Sequence, residues 1–254
     1  MFLENTISSS STVDSLFSTE RRPTPSLQTL FDRQPIETFE AGEAIFWEGD
    51  AATHVFEVST GVLRVCRLLS DGRRAITGFL YPGDLVGVSL KDRYLYTAEA
   101  VTETKVRRFA RGLFQEKINE CPALRPQLFA RLCDEMAAAQ DQLVLLGRKS
   151  AEERVSSFLL AIARRLSSDR RTTPVVEIPM TRLDMADYLG LTIETVSRTM
   201  TSLAARGVIA ANGRHAVVVR KLAKLVALAG ETEADDKYPI TASTRQAEIG
   251  RAHV

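Results

Sequence analysis

Glycine and proline are distributed unevenly along the chain, and this distribution indicates which segments form a β domain and which form a long helix. Between about residues 34 and 112, short β-rich segments are separated by glycines, which are Gly42, Gly49, Gly61, Gly72, Gly78, Gly83 and Gly87. Turns at roughly 8–12-residue intervals are typical of a small β-sandwich or β-barrel. Neither glycine nor proline occurs between Pro126 and Gly147, so an uninterrupted helix can form there. The sequence therefore predicts an all-β domain over residues 29–117, followed by a long helix.

The long helix, expected within residues 118–149, carries one apolar stripe. Its members are 4, 4, 3, 4 and 3 residues apart, and they are Leu128, Leu132, Met136, Ala139, Leu143 and Leu146. Such a stripe either packs on the β domain of the same chain or forms a coiled-coil-like contact with another chain. The length of about 20 residues and the small alanines at 137–139 favour the approach of a second helix. We therefore expect a parallel homodimer with this stripe as its dimerisation seam.

A third region, residues 150–230, has the pattern of a winged helix-turn-helix. In chain order its predicted elements are a helix from residue 150, a strand at 175–179, helices at 182–189 and 193–206, and a hairpin. Ser150 and Glu153 have the spacing of a helix capping box. The two later helices are joined by a turn at Gly190–Leu191, as in a helix-turn-helix. Asn212–Gly213 predicts a two-residue type I′ turn in the hairpin, which would form the wing.

The helix at 193–206 is expected to have two chemically different faces. Its buried face consists of Val196, Met200 and Leu203, and the opposite stripe consists of Glu194, Ser197, Arg198 and Thr201. A guanidinium can donate two hydrogen bonds to one guanine, a carboxylate can accept one from cytosine, and a small hydroxyl leaves space beside a thymine methyl. An intrahelical pair between Glu194 and Arg198 is the alternative for an isolated helix. The surrounding helix-turn-helix motif favours the interpretation that this stripe contacts DNA bases.

Two threonines complete the predicted DNA-binding surface. Thr192 is placed to cap the helix, and Thr195 can reach a phosphate together with the amides of the helix N-terminus. The full set of predicted DNA-binding residues is Thr192, Ile193, Glu194, Thr195, Ser197, Arg198 and Thr201.

Residues 34–229 resemble the CRP/FNR family of bacterial transcription regulators. The most specific match is "TIETVSRT", in which Glu194, Ser197 and Arg198 have the E-x-x-S-R pattern of the FNR branch. The CRP branch, which prefers TGTGA-type half-sites, has arginine where this chain has Ile193 and glycine where it has Ser197. The FNR branch reads inverted repeats resembling TTGAT…ATCAA. The resemblance implies that Arg198 contacts guanine, Glu194 contacts the complementary cytosine, and Ser197 lies beside a thymine.

The same resemblance implies an α+β fold and a set of partners. The fold would consist of an N-terminal β-roll (a double-stranded β-helix, cyclic-nucleotide-binding-like), the long dimerisation helix and the C-terminal winged helix-turn-helix. Each protomer of a homodimer would place its 193–206 helix in one major groove of palindromic double-stranded DNA, TTGAT-N4-ATCAA-like. The β-roll would also offer a surface to RNA polymerase.

The chain departs from two effector patterns of the family, so we expect no cofactor. A cyclic-nucleotide site would need a glutamate where Val88 stands and an arginine where Tyr96 stands, while Arg93 is a few residues out of register. A buried phosphodiester without that arginine would be an unpaired charge. Residues 1–60 contain no cysteine, which excludes the N-terminal [4Fe–4S] ligand group. The pattern resembles FixK-type regulators of low-oxygen, nitrogen-fixation or respiratory genes. A β-roll that binds an unidentified small molecule stays open as the alternative.

The remaining composition argues against other classes of protein. A net charge of +1 requires any nucleic-acid contact to come from a local surface. Only three histidines occur, and one of them, His54, lies in the β domain, so neither an enzyme nor a metal site is expected. Three widely spaced cysteines favour a reducing cytoplasm. Of these, Cys133 beside Leu132 is a possible redox residue, although a buried inert thiol is the simpler interpretation.

The two ends of the chain lack a periodic apolar face. Residues 1–28 are rich in serine and threonine, and residues 231–254 are polar and charged. We expect a flexible N-terminal arm and a flexible tail. No secretory signal or membrane-spanning segment is expected, because the N-terminus lacks a basic leading segment and no apolar run is long enough.

Overall fold

The computed structural model describes residues 25–89, 91–166, 175–213 and 216–231. Most of the predicted N-terminal arm and nearly all of the predicted tail lie outside these ranges. The end of the arm differs from the prediction, because Leu27–Phe31 forms a short helix, α1. Leu27 and Phe31 are buried against Phe109 of the β domain and against Phe114, which lies in the helix that follows it. Burial of these two apolar side chains, together with a Ser26–Thr29 capping box, accounts for the order of this segment.

The N-terminal domain is built from two four-stranded antiparallel sheets, as the β-roll prediction requires. The first has the order β1-β8-β3-β6 and the second the order β2-β7-β4-β5. The strands are β1 Ile36–Phe39, β2 Ala44–Phe46, β3 His54–Thr60, β4 Leu63–Leu68, β5 Arg74–Leu80, β6 Leu85–Val86, β7 Thr97–Ala100 and β8 Thr104–Ala110. Side chains from both sheets, including Phe56, Leu63 and Val106, form one buried core.

Gly61 connects β3 to β4 in a conformation that only glycine adopts without strain. Its φ is +86°, and a Cβ atom there would lie 2.5 Å from the carbonyl oxygen of Glu103 and 2.7 Å from Cα of Thr104. Gly42 has a similar φ of +91°, but a Cβ atom there would meet nothing within 4 Å. The two positions therefore separate the cost of positive φ from the cost of crowding.

We expect Gly61→Ala to destabilise the protein far more than Gly42→Ala. Both substitutions carry the penalty of positive φ, about 1–2 kcal/mol, and overlap with β8 adds about 1–3 kcal/mol at Gly61 only. Urea unfolding of the two variants and the parent measures the difference. Equal losses would show that the backbone of β8 moves aside at no cost.

Two helices, not one, follow the β domain. α2 spans Arg111–Glu120 and α3 spans Leu124–Arg148. The expected long helix is therefore α3, but residues 118–149 also contain the end of α2 and a break, and α2 begins within the range 29–117 that was predicted to be all-β. The residue before a proline avoids the α-helical region, and Cys121, which precedes Pro122, is extended at φ −117° and ψ 97°. Pro126 lies in the first turn of α3, where its missing N–H has no helical partner to lose.

The C-terminal domain is a winged helix-turn-helix, as predicted. Its elements are α4 Ala151–Leu166, β9 Val175–Glu177, α5 Arg182–Leu189, α6 Ile193–Ala205, β10 Ile209–Ala211, β11 Ala216–Val219 and α7 Leu222–Leu228. The capping box before α4 is confirmed, since the Ser150 amide donates to Glu153 at 2.7 Å. α7 was not predicted, although Leu225 of this helix is fully buried in the domain core.

The β-roll and the C-terminal domain pack directly against each other. Val62, Phe79 and Tyr81 of the β-roll join the core that is formed by α4, α5 and α6. The guanidinium of Arg165 in α4 stacks over the Tyr81 ring at 4.5 Å and pairs with Asp84. Within the described ranges, no helix combines the length and the apolar character that a bilayer crossing requires.

Candidate nucleic-acid interface

The turn between α5 and α6 is fixed at both of its helix ends. Gly190 ends α5 in the left-handed conformation, with φ +61°, and its amide donates to the carbonyl oxygen of Ala186. A Cβ atom at Gly190 would lie 3.3 Å from Leu146, so α5 and α3 approach closely at this point. The Thr192 side chain accepts a hydrogen bond from the Thr195 amide at 3.2 Å, which confirms the predicted cap of α6.

α6 shows the two faces that its sequence predicts. Val196, Met200 and Leu203 are buried in the domain core. On the other side, Glu194, Arg198 and Thr201 are exposed, as are Thr192 and Ile193, while Thr195 and Ser197 are half-buried. The predicted DNA-binding residues are therefore brought together on one surface at the N-terminal part of α6. Their contacts with DNA stay a prediction.

The charges on this surface remain available to a partner. Across the described ranges, the Arg198 guanidinium makes no hydrogen bond and no ion pair within 4 Å. The pKa of Glu194 is lowered by a hydrogen bond from its own amide, by the Thr192 hydroxyl and, more weakly, by the charge of Arg198. Glu194 is therefore an anionic acceptor at neutral pH, and Arg198 has its donors available.

The wing is a three-stranded antiparallel sheet with the order β10-β11-β9. Ala211 pairs with Val217, and the Asn212 amide donates to the Ala216 carbonyl at 2.9 Å. A two-residue turn at Asn212–Gly213 would pair residue 211 with residue 214, so this register shows that the predicted type I′ turn is wrong; residues 214 and 215 lie outside the described ranges. Gly213 still has a positive φ of +77°, so glycine is needed in the turn although the register differs.

Aromatic side chains occupy the interior of the β-roll beside the β6–β7 connection. Phe46 stacks on Tyr94 with ring centroids 3.7 Å apart and approaches Tyr96 at 5.7 Å. The Tyr96 hydroxyl accepts a hydrogen bond from the Gly87 amide at 3.0 Å, and burial raises its pKa to about 12. Tyr96 is therefore a neutral phenol at this position.

The two positions that a cyclic-nucleotide site would use are occupied by Val88 and Tyr96, and neither side chain carries a guanidinium. Arg93 is exposed, and its Nη1 donates to the Gly49 carbonyl at 2.6 Å. Val88 packs against the apolar cluster that contains Phe109 and Phe114. Because a buried phosphate needs a paired cation, the residues present do not fit a cyclic nucleotide.

The three cysteines are free thiols in different environments. Cys66 is buried in β4, and burial raises the pKa of its thiol. Cys121 and Cys133 are half-buried. No group of three or more potential metal-ligating side chains occurs in the part of the chain that is described. The redox role of Cys133 stays a prediction.

The apolar stripe of α3 is largely exposed in the single chain. Leu132, Met136, Leu143 and Leu146 are exposed, and Ala139 is exposed among them. Leu128 differs, because it packs half-buried against the cluster of α1, α2 and the β-roll. Two further exposed apolar residues of α3, Phe129 and Val144, widen this surface and were missed because they lie beside the regular 3- and 4-residue spacing.

A second group of residues that could not be identified from the sequence links α5 to the β-roll: Asp184 of α5 accepts hydrogen bonds from Arg64 and Arg74. Asp184 is fully buried and completes a capping box with Thr181. The Thr-x-x-Asp spacing of such a box is visible in sequence. However, its two partners on the strands, Arg64 and Arg74, have no sequence signal that connects them to α5.

Comparison with known proteins agrees with this architecture. Residues 153–228 match the Crp-like helix-turn-helix domain, and residues 36–121 match the cyclic nucleotide-binding domain. The nitrogen fixation regulation protein FixK of Bradyrhizobium diazoefficiens is 46% identical over 176 residues, which are 68% of this chain and 73% of that protein. The transcriptional activator protein FnrL of Cereibacter sphaeroides is 37% identical over 218 residues, 84% of this chain and 88% of that protein.

A solved structure extends the similarity to three dimensions. The structure of FixK2 from Bradyrhizobium japonicum superposes with a TM-score of 0.72 at 36% identity, and covers 77% of this chain and 96% of that chain. The relatives are transcription regulators, not enzymes. The chain therefore belongs to the CRP/FNR family of DNA-binding transcription regulators, and within that family it is FixK-like.

Proposed function

We propose that the protein acts as a homodimer that binds TTGAT-N4-ATCAA-like palindromes through α6. The observation that carries this proposal is the exposed guanidinium of Arg198, which has no hydrogen-bond or ion-pair partner among the described residues and shares one stripe with the ionised Glu194. An arginine can bond guanine through two donors, and the neighbouring carboxylate can accept from the paired cytosine. The two side chains thus match adjacent groups of one G·C pair.

The exposed stripe of α3 supports the homodimer. Several large apolar side chains on one helix face are costly to leave in water, and an isologous contact between two copies would cover both stripes at once. A dimer of this kind presents two α6 helices to successive major grooves, roughly 34 Å apart. The half-sites must then be inverted repeats.

The regulatory role that we propose follows the named relatives. FixK proteins are nitrogen fixation regulators, and FnrL is a transcriptional activator. We infer that this protein activates genes of low-oxygen, nitrogen-fixing or respiratory metabolism, with the β-roll as a surface for RNA polymerase. The filled interior of the β-roll around Phe46, Tyr94 and Tyr96 supports action without cyclic AMP. The absence of cysteine from residues 1–60 supports action without an iron–sulfur cluster.

Fluorescence anisotropy tests the proposal. Purified protein, in air and without added ligand, is titrated against TTGAT-N4-ATCAA, TGTGA-type and scrambled duplexes at one fixed salt concentration. We expect the first duplex to bind at least about 1,000-fold more tightly than the scrambled one, with no change when cyclic AMP is added. Binding to no duplex, followed by rescue with cell extract, would instead favour a β-roll gated by an unidentified small molecule.

A further inference from the structure

Five charged side chains lie between the β-roll and the first helix of the helix-turn-helix. Arg64, Arg74 and Glu99 extend from β4, β5 and β7, and Asp184 and Asp187 extend from α5. We call these five residues the interdomain charge cluster. Their side chains are only 2% to 24% exposed, so the cluster is an interior contact and not a set of surface pairs.

Most hydrogen-bonding groups of the interdomain charge cluster are paired with other members of the cluster. Arg64 donates to Glu99 through Nε at 3.0 Å and to Oδ1 of Asp184 through Nη1 at 3.0 Å. Arg74 donates to the same Asp184 oxygen at 2.7 Å and to Asp187 at 3.0 Å. Two strands of the β-roll thus hold one carboxylate of α5 between them.

Asp184 also defines where α5 begins. Its second oxygen, Oδ2, accepts hydrogen bonds from the Thr181 amide at 3.0 Å and from the Thr181 hydroxyl at 2.8 Å. One buried carboxylate therefore caps the helix and fixes it to the β-roll. Removal of one partner from a buried charged network leaves the other charge uncompensated, which is strongly unfavourable.

The other contacts of α5 connect the same helix to α3 and α4. Gln142 of α3 donates to the Tyr188 carbonyl at 2.7 Å, and Arg154 of α4 donates to the Leu189 carbonyl at 2.9 Å. Tyr188 also packs against Phe79 of β5, with ring centroids 5.3 Å apart. Because α6 follows α5 after a short turn, the orientation of α5 sets the direction in which α6 points from the dimer helix.

We propose that Arg64 and Arg74 are positioning residues that set the half-site separation that the dimer accepts on DNA. This inference rests on the proposed function of a dimer on a palindrome. The two arginines hold α5, and with it α6, at a fixed angle to the β-roll and α3. The distance and rotation between the two α6 helices of a dimer then have one preferred value.

DNA geometry makes this separation measurable. Each added base pair moves one half-site by about 3.4 Å and rotates it by about 35° around the DNA axis. A rigidly held pair of α6 helices tolerates such a change poorly. A pair whose α5 helices have been loosened from the β-roll can adjust, so its affinity depends less on the spacer.

The test compares the full-length protein with Arg74→Gln and Arg64→Gln on palindromes with spacers of three, four, five and six base pairs. We expect the wild-type protein to prefer four base pairs by at least about tenfold over each neighbour. Each variant should reduce that preference to about threefold or less, mainly because it loses affinity on the four-base-pair site. A merely structural role would lower affinity equally on all spacers.

Matched controls exist on the same β-hairpin. Arg67 and Arg73 pair with Glu48 and Asp71 at the surface, with side chains 61% and 77% exposed. Arg67→Gln and Arg73→Gln should therefore keep the wild-type spacer preference. Thermal unfolding verifies that each variant is folded.

Asp187→Asn tests the contact between Arg74 and α5 from the side of α5. It removes the negative charge that pairs with Arg74, although the amide oxygen can still accept a hydrogen bond, and it leaves the contacts of Asp184 in place. It therefore decides the question if Arg74→Gln does not fold. We expect Asp187→Asn to relax the spacer preference as well, and the double variant Arg74→Gln/Asp187→Asn to add little further. A spacer preference unchanged in folded variants would overturn this inference alone. A wild-type protein that does not distinguish a palindrome from a single half-site would overturn the proposed function and this inference with it.

Discussion

Replacing Arg198 by alanine is expected to remove most of the preference of the protein for its palindrome over scrambled DNA. Each bidentate contact between arginine and guanine contributes about 1–3 kcal/mol of discrimination. A dimer makes the contact twice, so the two contacts contribute about 2–6 kcal/mol of discrimination. Their removal should reduce the preference for the palindrome over scrambled DNA by roughly 30-fold or more. Arg198 is exposed and makes no hydrogen bond or ion pair with the described residues, so the folded state should be unaffected.

Arg198→Lys is the matched control for this experiment. Lysine keeps the positive charge, but it lacks the planar fork that bonds two acceptors of one base. We expect Arg198→Lys to keep the affinity for scrambled DNA, which depends on phosphate charge, and to lose selectivity for the cognate duplex. Anisotropy titrations on both duplexes measure the two quantities. Equal losses on cognate and scrambled DNA in Arg198→Ala would assign Arg198 to a phosphate instead of a base.

The helices of the C-terminal domain could be predicted because their signals are local. In α6, apolar residues at spacings of 4 and 3 fix the buried face, and Thr192 marks the first turn. The same local signals were misleading at the wing, where Asn212–Gly213 suits a two-residue turn but Ala211 pairs with Val217 and not with residue 214. The register there depends on how β11 pairs with β9, which the turn residues alone do not encode.

The interdomain charge cluster could not be predicted in the same way. Arg64 and Asp184 are separated by 120 residues, and neither position has a local pattern that names its partner. The start of α3 is a different case, because Pro122 already disfavours helix at Cys121. The dimerisation seam could be predicted only in part. The periodicity of α3 identifies an apolar face, but only the folded β-roll determines that Leu128 is covered while Leu132, Met136 and Leu143 are left exposed.

Replacing Leu143 by aspartate is expected to dissociate the dimer and, as a consequence, to abolish tight binding to the palindrome. The Leu143 side chain is 72% exposed in the single chain, so the substitution should not disturb the fold of the protomer. In a symmetric interface, two carboxylates would be buried without partners, and the apolar packing of both leucines would disappear. The cost should exceed about 3 kcal/mol, equivalent to a dimer dissociation constant raised by more than about 100-fold.

Sedimentation analysis over a range of protein concentrations measures the dimer directly, and anisotropy on the palindrome measures its consequence. The control is Ala130→Asp, an exposed position on the same helix about 140° around its axis from Leu143. This variant adds the same charge to the same helix but not to the stripe, so it should sediment as a dimer and bind DNA normally. If Leu143→Asp also sedimented as a dimer, α3 would not provide the seam. The two α6 helices would then be paired through another surface of the protein, and the exposed apolar face of α3 would have a different partner.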